Sequence, residues 1–551
     1  MAELVDASDL KSEGLGRPGS IPGIPTSTGS WAGRPDGAAA CLVLGLLLGT
    51  GGCAGPGAGG GEASAVSSGA DATGELLEVD EAELRDRIRG AWLGQMIGVT
   101  WGFPTEFYAR YIWELFPDLH QRDGEPANIY VAFEGQPIPL DLLPAWTPEL
   151  INGAYTQDDL YVEVPFMEAL AEHGVNAGWG PLGEAFAASE FPLYHANLAA
   201  RDNLRRGLPP PASGHWSNTG ESDDIDWQIE SDFVGLMAPA QPAAAVDLAF
   251  RMGHIMNHGD GVYGGVFVAT MLSTAFTAGS VLEIAEAGRD VLPPGSGYRQ
   301  VIDDVFDMWE GGEPFDVNLD ALYKRYGALD RCAEWAGAAD PLNIDARLNG
   351  AFILLGLLYG EGDLARSMRL AMAAGQDSDC NPSNVGSILG AFMGAEALAQ
   401  DDDRWLSALD ESRTFETTPY RLDELVELNL ELARGVVEQR GGEAPHGERW
   451  SIPVGDARPS LLLEQWPLTP NAAPTLQVTV ERAGGRAVRV SARAEDSDGR
   501  LSYQWCFGDL AFARGPDHVH RYRAPGTYEL IALASDRTGN TTIVTTSIQV
   551  P

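Results

Sequence analysis

The chain is 551 residues long, more than one ordinary domain holds, so two to four domains are expected. Hydrophobic residues make up 44% and charged residues 21%, the balance of a soluble globular protein with a sizeable core. Against 36 Lys and Arg stand 79 Asp and Glu, a net charge of -43, which repels phosphate backbones and excludes non-specific nucleic-acid binding. Cys41, Cys53, Cys332, Cys380 and Cys506 are too few for a disulfide framework, and no CxxC spacing offers a zinc-thiolate site.

Residues 1–75 read as a leader and flexible tether, rich in Gly, Ser, Pro and Ala. The apolar run at 38–49 (AAACLVLGLLLG) is too short to cross a bilayer, which takes roughly twenty residues. It matches the h-region of a secretory signal. Thr50-Gly51-Gly52-Cys53 follows, and this pattern resembles a bacterial lipoprotein signal with Cys53 as the lipid-bearing residue. The resemblance implies an exported protein, held to the membrane only through lipid at Cys53, or secreted after ordinary cleavage. Residues 1–27 are acidic and polar where a signal opens basic, and no function is read into them.

From about residue 76 to 440 the apolar periodicity is helical. Leu84, Ile88, Ala91 and Met96 form one stripe, Leu160, Val164, Met167 and Ala171 another, and Leu364, Met368, Ala371 and Met372 a third. Gly386, Gly390 and Gly394 lie four apart, a spacing that lets helices approach closely. No glycine-rich phosphate loop follows a strand, so a nucleotide-binding α/β fold has no support. Residues 441–472, rich in Gly, Pro and charge, read as a linker.

Beyond it, Val488, Val490, Ala492 and Ala494 alternate with polar residues, as do Tyr528, Leu530 and Ala532. Turn signals at Asp498-Gly499, Pro525-Gly526 and Thr538-Gly539 complete the pattern of a small β-sandwich over 473–551. Trp505-Cys506-Phe507-Gly508-Asp509, His520, Tyr522, Pro525-Gly526-Thr527-Tyr528 and Asp536 resemble the PKD-type immunoglobulin-like domain. Asp496 and Asp498 fit an ordinary Asp-Gly turn better than a calcium site.

Two short acidic clusters carry the chemistry. Thr156-Gln157-Asp158-Asp159 precedes the run from Leu160, with Thr156 expected as the helix N-cap and Asp159 completing a box-like arrangement. Asp377-Ser378-Asp379-Cys380 follows Gly375, a suitable C′ residue, and Asn381-Pro382 is expected to open the next helix with Pro at its first position. Alone, each cluster could be simple capping. Facing one another they would offer four hard oxygen ligands, suited to Mg²⁺ or Mn²⁺ and poor for zinc or copper.

The run from Gly90 to Gly98 (GAWLGQMIG), then Pro104-Thr105-Glu106-Phe107, Asp158-Asp159, Asn257-His258-Gly259-Asp260 and Gly375-Gln376-Asp377-Ser378-Asp379 occur in the order of the ADP-ribosylglycohydrolase family. The resemblance covers roughly residues 76–399. It implies an all-α catalytic domain with two Mg²⁺ ions (Mn²⁺ as the substitute), followed here by the immunoglobulin-like sandwich. It also implies hydrolysis of the glycosidic bond at the ribose of a small-molecule or protein-linked ADP-ribosylated substrate, by two-metal activation of water. The family's metal ligands fall on Gln157, Asp158, Asp159, Asp377, Asp379 and Cys380, with Asp158 and Asp379 central to catalysis. Glu106 takes the proton-transfer position, while Asn257, His258 and Asp260 take the substrate-binding positions. Gln157 and Cys380 replace hydroxyl ligands, and Asn257 stands where a Thr is usual. An exported hydrolase of another N- or O-glycoside, or a surface binding protein retaining the fold, are the competing readings.

Three further features stay open at this level. His254 and His258 lie on one helical face, but with no neighbouring third ligand a hydrogen-bonded interior pair is expected rather than zinc. The acidic run 223–232 reads equally as a sugar-lining segment or a solvated loop. Trp101, Trp216 and Trp227 are expected in the core.

Overall fold

The computed structural model describes residues 72–103, 131–132, 136–137, 153–216, 218–219, 221–326, 344–401, 409–455, 461, 463–464, 474–495, 501–508, 512–535 and 541–551. The leader with Cys53, Glu106 and the Asp498-Gly499 turn lie outside these residues. Strand β1 (Ala72–Asp80) runs directly into helix α1 (Glu81–Gly102). The short pair β2 (Val131–Ala132) and β3 (Gln136–Pro137) follows. Next come α2 (Asp158–Tyr161), α3 (Glu163–His173), α4 (Trp179–Ala188) and α5 (His195–Arg205). The middle of the domain holds α6 (Asp226–Ile229), α7 (Asp232–Leu236), α8 (Pro242–Gly253), α9 (Asp260–Ala275), α10 (Val281–Val291), α11 (Gly297–Glu310) and α12 (Phe315–Tyr326). It closes with α13 (Ala346–Gly360), α14 (Leu364–Ala374), α15 (Cys380–Met393), α16 (Ala395–Asp401) and α17 (Leu422–Gln439).

Helices α9 and α13 are buried on nearly every side, which fits their largely apolar sequences, while the equally buried α15 carries Asn381, Ser383, Asn384 and Ser387 in its first half. The closest approach is between α1 and α15. Gly90 faces Gly390, Gly94 faces Gly386, Gly98 meets Pro382 and Gly102 meets Ser378. A Cβ on Gly94 would lie 1.9 Å from the Gly386 carbonyl oxygen, and one on Gly102 would lie 1.8 Å from that of Ser378. Backbone therefore touches backbone along the whole seam. Gly394 closes the seam: at φ 87 it caps the end of α15, its carbonyl carbon packs against Gly90, and it is turned toward Asp86 of α1.

The segment read as a linker is structured in part. Strand β4 (Arg449–Gly455) pairs antiparallel with β1, burying Trp450 and Ile452, and Leu461 joins the same core. The paired residues of β1 begin inside the segment read as a tether. Glu81 fastens this end. Its carboxylate accepts from Arg434 and from the Gly447 amide, each at 2.9 Å, and from Arg85 at 2.9 Å. Burial opposes its charge, but these donors prevail and hold the pKa at about 2.

The sandwich has a four-stranded sheet in the order β11 (Thr541–Val550), β10 (Gly526–Ser535), β7 (Ser502–Cys506), β8 (Phe512–Arg514). A three-stranded sheet of β5 (Thr475–Arg482), β6 (Ala487–Glu495) and β9 (Asp517–Arg521) completes it. Val488, Val490 and Ala492 point inward against Trp505, Phe507, Tyr522 and Leu530, as their alternation predicts.

Two outcomes follow. Gly94→Ala forces the seam apart and should cost upwards of about 3 kcal/mol in denaturant unfolding, whereas Gly180→Ala, with open space around it, should be neutral or slightly stabilising. Glu81 has a depressed folded pKa, so its contribution is complete above about pH 4.5 and fades as pH falls toward about 2. Glu81→Gln should flatten that acid limb in melts across pH 2–5 and lower stability at pH 7 by roughly 2 kcal/mol.

Candidate functional site

The seam sets the position of the second acidic cluster. Because Gly98 and Gly102 press on Pro382 and Ser378, the start of α15 is fixed against the last turns of α1. Gly375 ends α14 at φ 102, and Gln376 follows at φ 52, so the chain reverses before Asp377. Asp379 occupies the N-cap of α15 without a side-chain capping bond. Pro382 is the third residue of that helix and not the first, still within the turn whose amides need no partner. The first cluster opens α2, where Gln157 is the N-cap and makes no capping bond either. Thr156 is not the cap: it ends a 3₁₀ turn (Ala154–Thr156) and its exposed hydroxyl donates to the Gly153 carbonyl. Neither cluster is accounted for by capping.

Asp158, Asp159 and Cys380 offer atoms that all lie within 4.8 Å of one another, and Asp377, Asp379 and Cys380 do the same. Cys380 Sγ is thus common to both sets. The two clusters, over two hundred positions apart in the chain, form one site. Among the described residues neither oxygen of the fully buried Asp159 finds a hydrogen-bond donor. The Ser383 hydroxyl lies close enough to temper its pKa but not in bonding geometry. Asp158 accepts from the Asp159 amide at 3.2 Å.

Burial, then the charge of Asp379, pushes the Asp158 pKa up to about 6. Burial and Asp158 push Asp159 well above the carboxylate range. Burial, reinforced by the carboxylates around it, likewise raises the Cys380 thiol, which stays protonated and points weakly at Asp379 Oδ1 from 3.8 Å. Carboxyls in this state hold protons unless a cation replaces them. Orphaned hard oxygens gathered by backbone geometry fit a divalent cation such as Mg²⁺, and Cys380 is the one soft corner.

A second ring of buried carboxylates surrounds the first, and sequence reasoning missed most of it. Glu163 accepts from Gln95 at 3.0 Å, and Asp232 from Asn384 at 2.7 Å. Asn197 donates to Asp226 at 2.6 Å and also to Glu230. Burial raises the pKa of Asp232 to about 7, and those of Glu163, Asp226 and Glu230 well above normal. The acidic run 223–232 is therefore an interior wall and not a solvated loop. Its signal was in plain sight: Ile225, Trp227 and Ile229 interleave with the acids, which a solvated loop would not do.

The substrate-binding candidates pack behind this wall. Asn257 is wholly buried and commits its amide to the backbone, accepting from Trp227 N–H and donating to the Ser222 and Asp224 carbonyls. It builds the 222–227 loop and has no N–H left for a ligand. Asp260 accepts from the Tyr298 amide at 3.0 Å and lies 4.0 Å from Arg347. His258 packs its ring 4.5 Å from His215 and lies 3.5 Å from Glu464. Trp101 and Trp227 are buried as expected, while Trp216 is partly exposed beside His215.

Comparison with known proteins agrees with this architecture. A family model for ADP-ribosylglycohydrolase matches residues 80–441, and one for the PKD domain matches 471–550. An ADP-ribosylglycohydrolase-related protein complex is 18% identical over 64% of this chain and 99% of that one, with a TM-score of 0.40. The PKD1 domain of Vibrio anguillarum Epp is 28% identical over 14% of this chain and 95% of its own, and that of the Vibrio cholerae metalloprotease PrtV 25% identical over 14% and 98%. Each of these two has a TM-score of 0.14. With the family model spanning most of the chain and the paired acidic helix starts in place, the protein belongs to the ADP-ribosylglycohydrolase family of hydrolases and carries a PKD domain after its helical region.

Proposed function

We propose that the protein is a divalent-metal-dependent glycosidase that cleaves the bond between ribose and its leaving group in ADP-ribosylated substrates. The carrying observation is the convergence of Asp158, Asp159, Asp377 and Asp379 on Cys380, with both Asp159 oxygens buried and without donors. Asp158, Asp159, Asp377 and Asp379 would hold two Mg²⁺ ions, with Gln157 and Cys380 at the weaker positions. Bound there, Mg²⁺ supplies Lewis acidity that orients the ribose hydroxyls and lowers the pKa of the attacking water.

The chain's own groups do the rest. The carboxylates place negative charge beside an anomeric carbon that becomes positive as the bond to the leaving group breaks. Glu106 delivers the proton to the departing atom or removes one from water. Only three residues, at most about 14 Å of chain, separate it from Gly102, which touches the Ser378 carbonyl. The second ring is met by the neutral amides of Gln95, Asn197 and Asn384, which add no positive charge beside the first.

If the four carboxylates serve one metal pair, Asp158→Asn and Asp379→Asn should each abolish most of the melting-temperature rise given by Mg²⁺ or Mn²⁺. The double variant should be scarcely worse in turnover than either single one, because residues that act as a unit are strongly non-additive. Glu106→Gln should keep the metal-dependent rise and lose turnover of ADP-ribosyl-arginine or ADP-ribosyl-serine. A melting point indifferent to metal and chelator, with additive losses, would defeat the assignment.

Export belongs to the same reading. It is supported by the h-region before Cys53 and by a PKD domain, a type of module common on surface proteins. Among the described residues no helix is long and apolar enough to cross a membrane. Mass spectrometry from the native host should find a lipidated N-terminus at Cys53, and an intact 1–52 segment would refute it.

A further inference from the structure

Far from the carboxylates in sequence and in role, a second set of ligating side chains converges. Three of the nine histidines of the chain, His215, His254 and His258, gather around one carboxylate, Glu464. Their rings pack in series, His215 to His258 at 4.5 Å and His258 to His254 at 6.1 Å between centroids. His254 and His258 come from the end of α8 and the loop that follows it. Glu464 comes from the segment after β4, 210 residues beyond His254 and outside the span matched by the family model.

The orientation of His254 is set by its own backbone. Its Nδ1 lies 2.6 Å from the Phe250 carbonyl, which can only accept, so Nδ1 carries a proton. Nε2 therefore faces Glu464 Oε1, at 2.6 Å. This is the outer-shell arrangement that orients metal-binding imidazoles, with the far nitrogen held by a carbonyl and the near one aimed at the ion. The other Glu464 oxygen accepts from the Gly259 amide at 2.7 Å and lies 3.5 Å from His258 Nδ1. Ligand atoms of His254, His258 and Glu464 all lie within 4.8 Å of one another. A tetrahedral ion with bonds of about 2.0–2.1 Å needs such atoms roughly 3.4 Å apart, so shifts of about an ångström close the set.

We infer that His254, His258 and Glu464 form a structural zinc site and that the ion clips the segment following β4 onto the helical domain. The donor set of two imidazoles and one carboxylate is of zinc type and differs from the hard oxygen set of the catalytic centre. The same segment already plants Leu461 in the core and donates the Glu464 amide to the Tyr263 hydroxyl at 2.6 Å, so the clip closes a contact that packing begins.

The test uses the full chain stripped with chelator and titrated with zinc chloride against a chromophoric competitor. One equivalent should bind tightly. Glu464→Gln and His254→Gln should weaken that binding by at least about 100-fold, while Glu464→His, which restores a zinc ligand but no carboxylate, should recover most of it. Cobalt substitution should give the intense visible bands of a low-coordinate site in the unmutated chain and in Glu464→His. The Asp158→Asn, Asp379→Asn double variant should bind zinc unchanged, so this site and the proposed catalytic centre fail or stand separately. If the unmutated chain binds zinc no more tightly than Glu464→Gln, or takes up none, the contact is a histidine–glutamate ion pair only and the inference falls. Stoichiometry on the unmutated chain decides this even if a variant does not fold.

Discussion

Backbone-to-backbone contact between α1 and α15 is the constraint on which the site depends. Four successive turns of α1 present glycine, and each lies against the main chain of α15 or of the loop before it. Such contact removes side chains from the interface and fixes axial register as well as separation, since any Cβ would collide with a carbonyl. Asp377, Asp379 and Cys380 lie at the end of that seam. Their position depends on glycines up to two turns away. A helix pair packed through leucines could slide by fractions of an ångström. This one cannot, and a metal centre built on short carboxylates needs that precision.

The charge arrangement explains why so many acids can be buried together. Neutral amides meet the second ring: Gln95 on Glu163, Asn384 on Asp232, and Asn197 on Asp226 and Glu230. An arginine there would satisfy the carboxylates more strongly, but it would also cancel the field the inner ring needs. Amides orient the acids without neutralising them. The remaining imbalance is met by protons or by cations, which is the condition for a centre that can exchange one for the other.

Much of this was legible in the sequence. The glycines at 386, 390 and 394 announced a close helix approach, and the two acidic clusters announced their helix starts. The alternation at Val488, Val490 and Ala492 gave the sandwich sheet. Local signals were less faithful at the boundaries. Thr156 has the composition of a cap, yet a 3₁₀ turn takes it, because the chain must present Asp158 and Asp159 to α15. Residues 449–455 were hidden as a strand because Pro453 breaks the pattern and their partner, β1, sits across the whole helical domain. Glu464 was beyond reach for the same reason: no spacing rule ties a lone acid in a Gly/Pro-rich stretch to a histidine pair 210 residues earlier.

The departures at Gln157 and Cys380 can be weighed against this background. A hydroxyl and a thiol differ little in size, and burial among carboxylates keeps the Cys380 proton in place, so the exchange adds no charge to the cluster. What changes is hardness, which would weaken one corner of the proposed coordination and leave the four carboxylates to carry the affinity. Gln157 retains an oxygen donor in a residue whose side chain makes no capping bond. Both changes preserve the charge of the site and its anchoring to the seam. A centre altered in this way would shift toward weaker, more exchangeable metal binding.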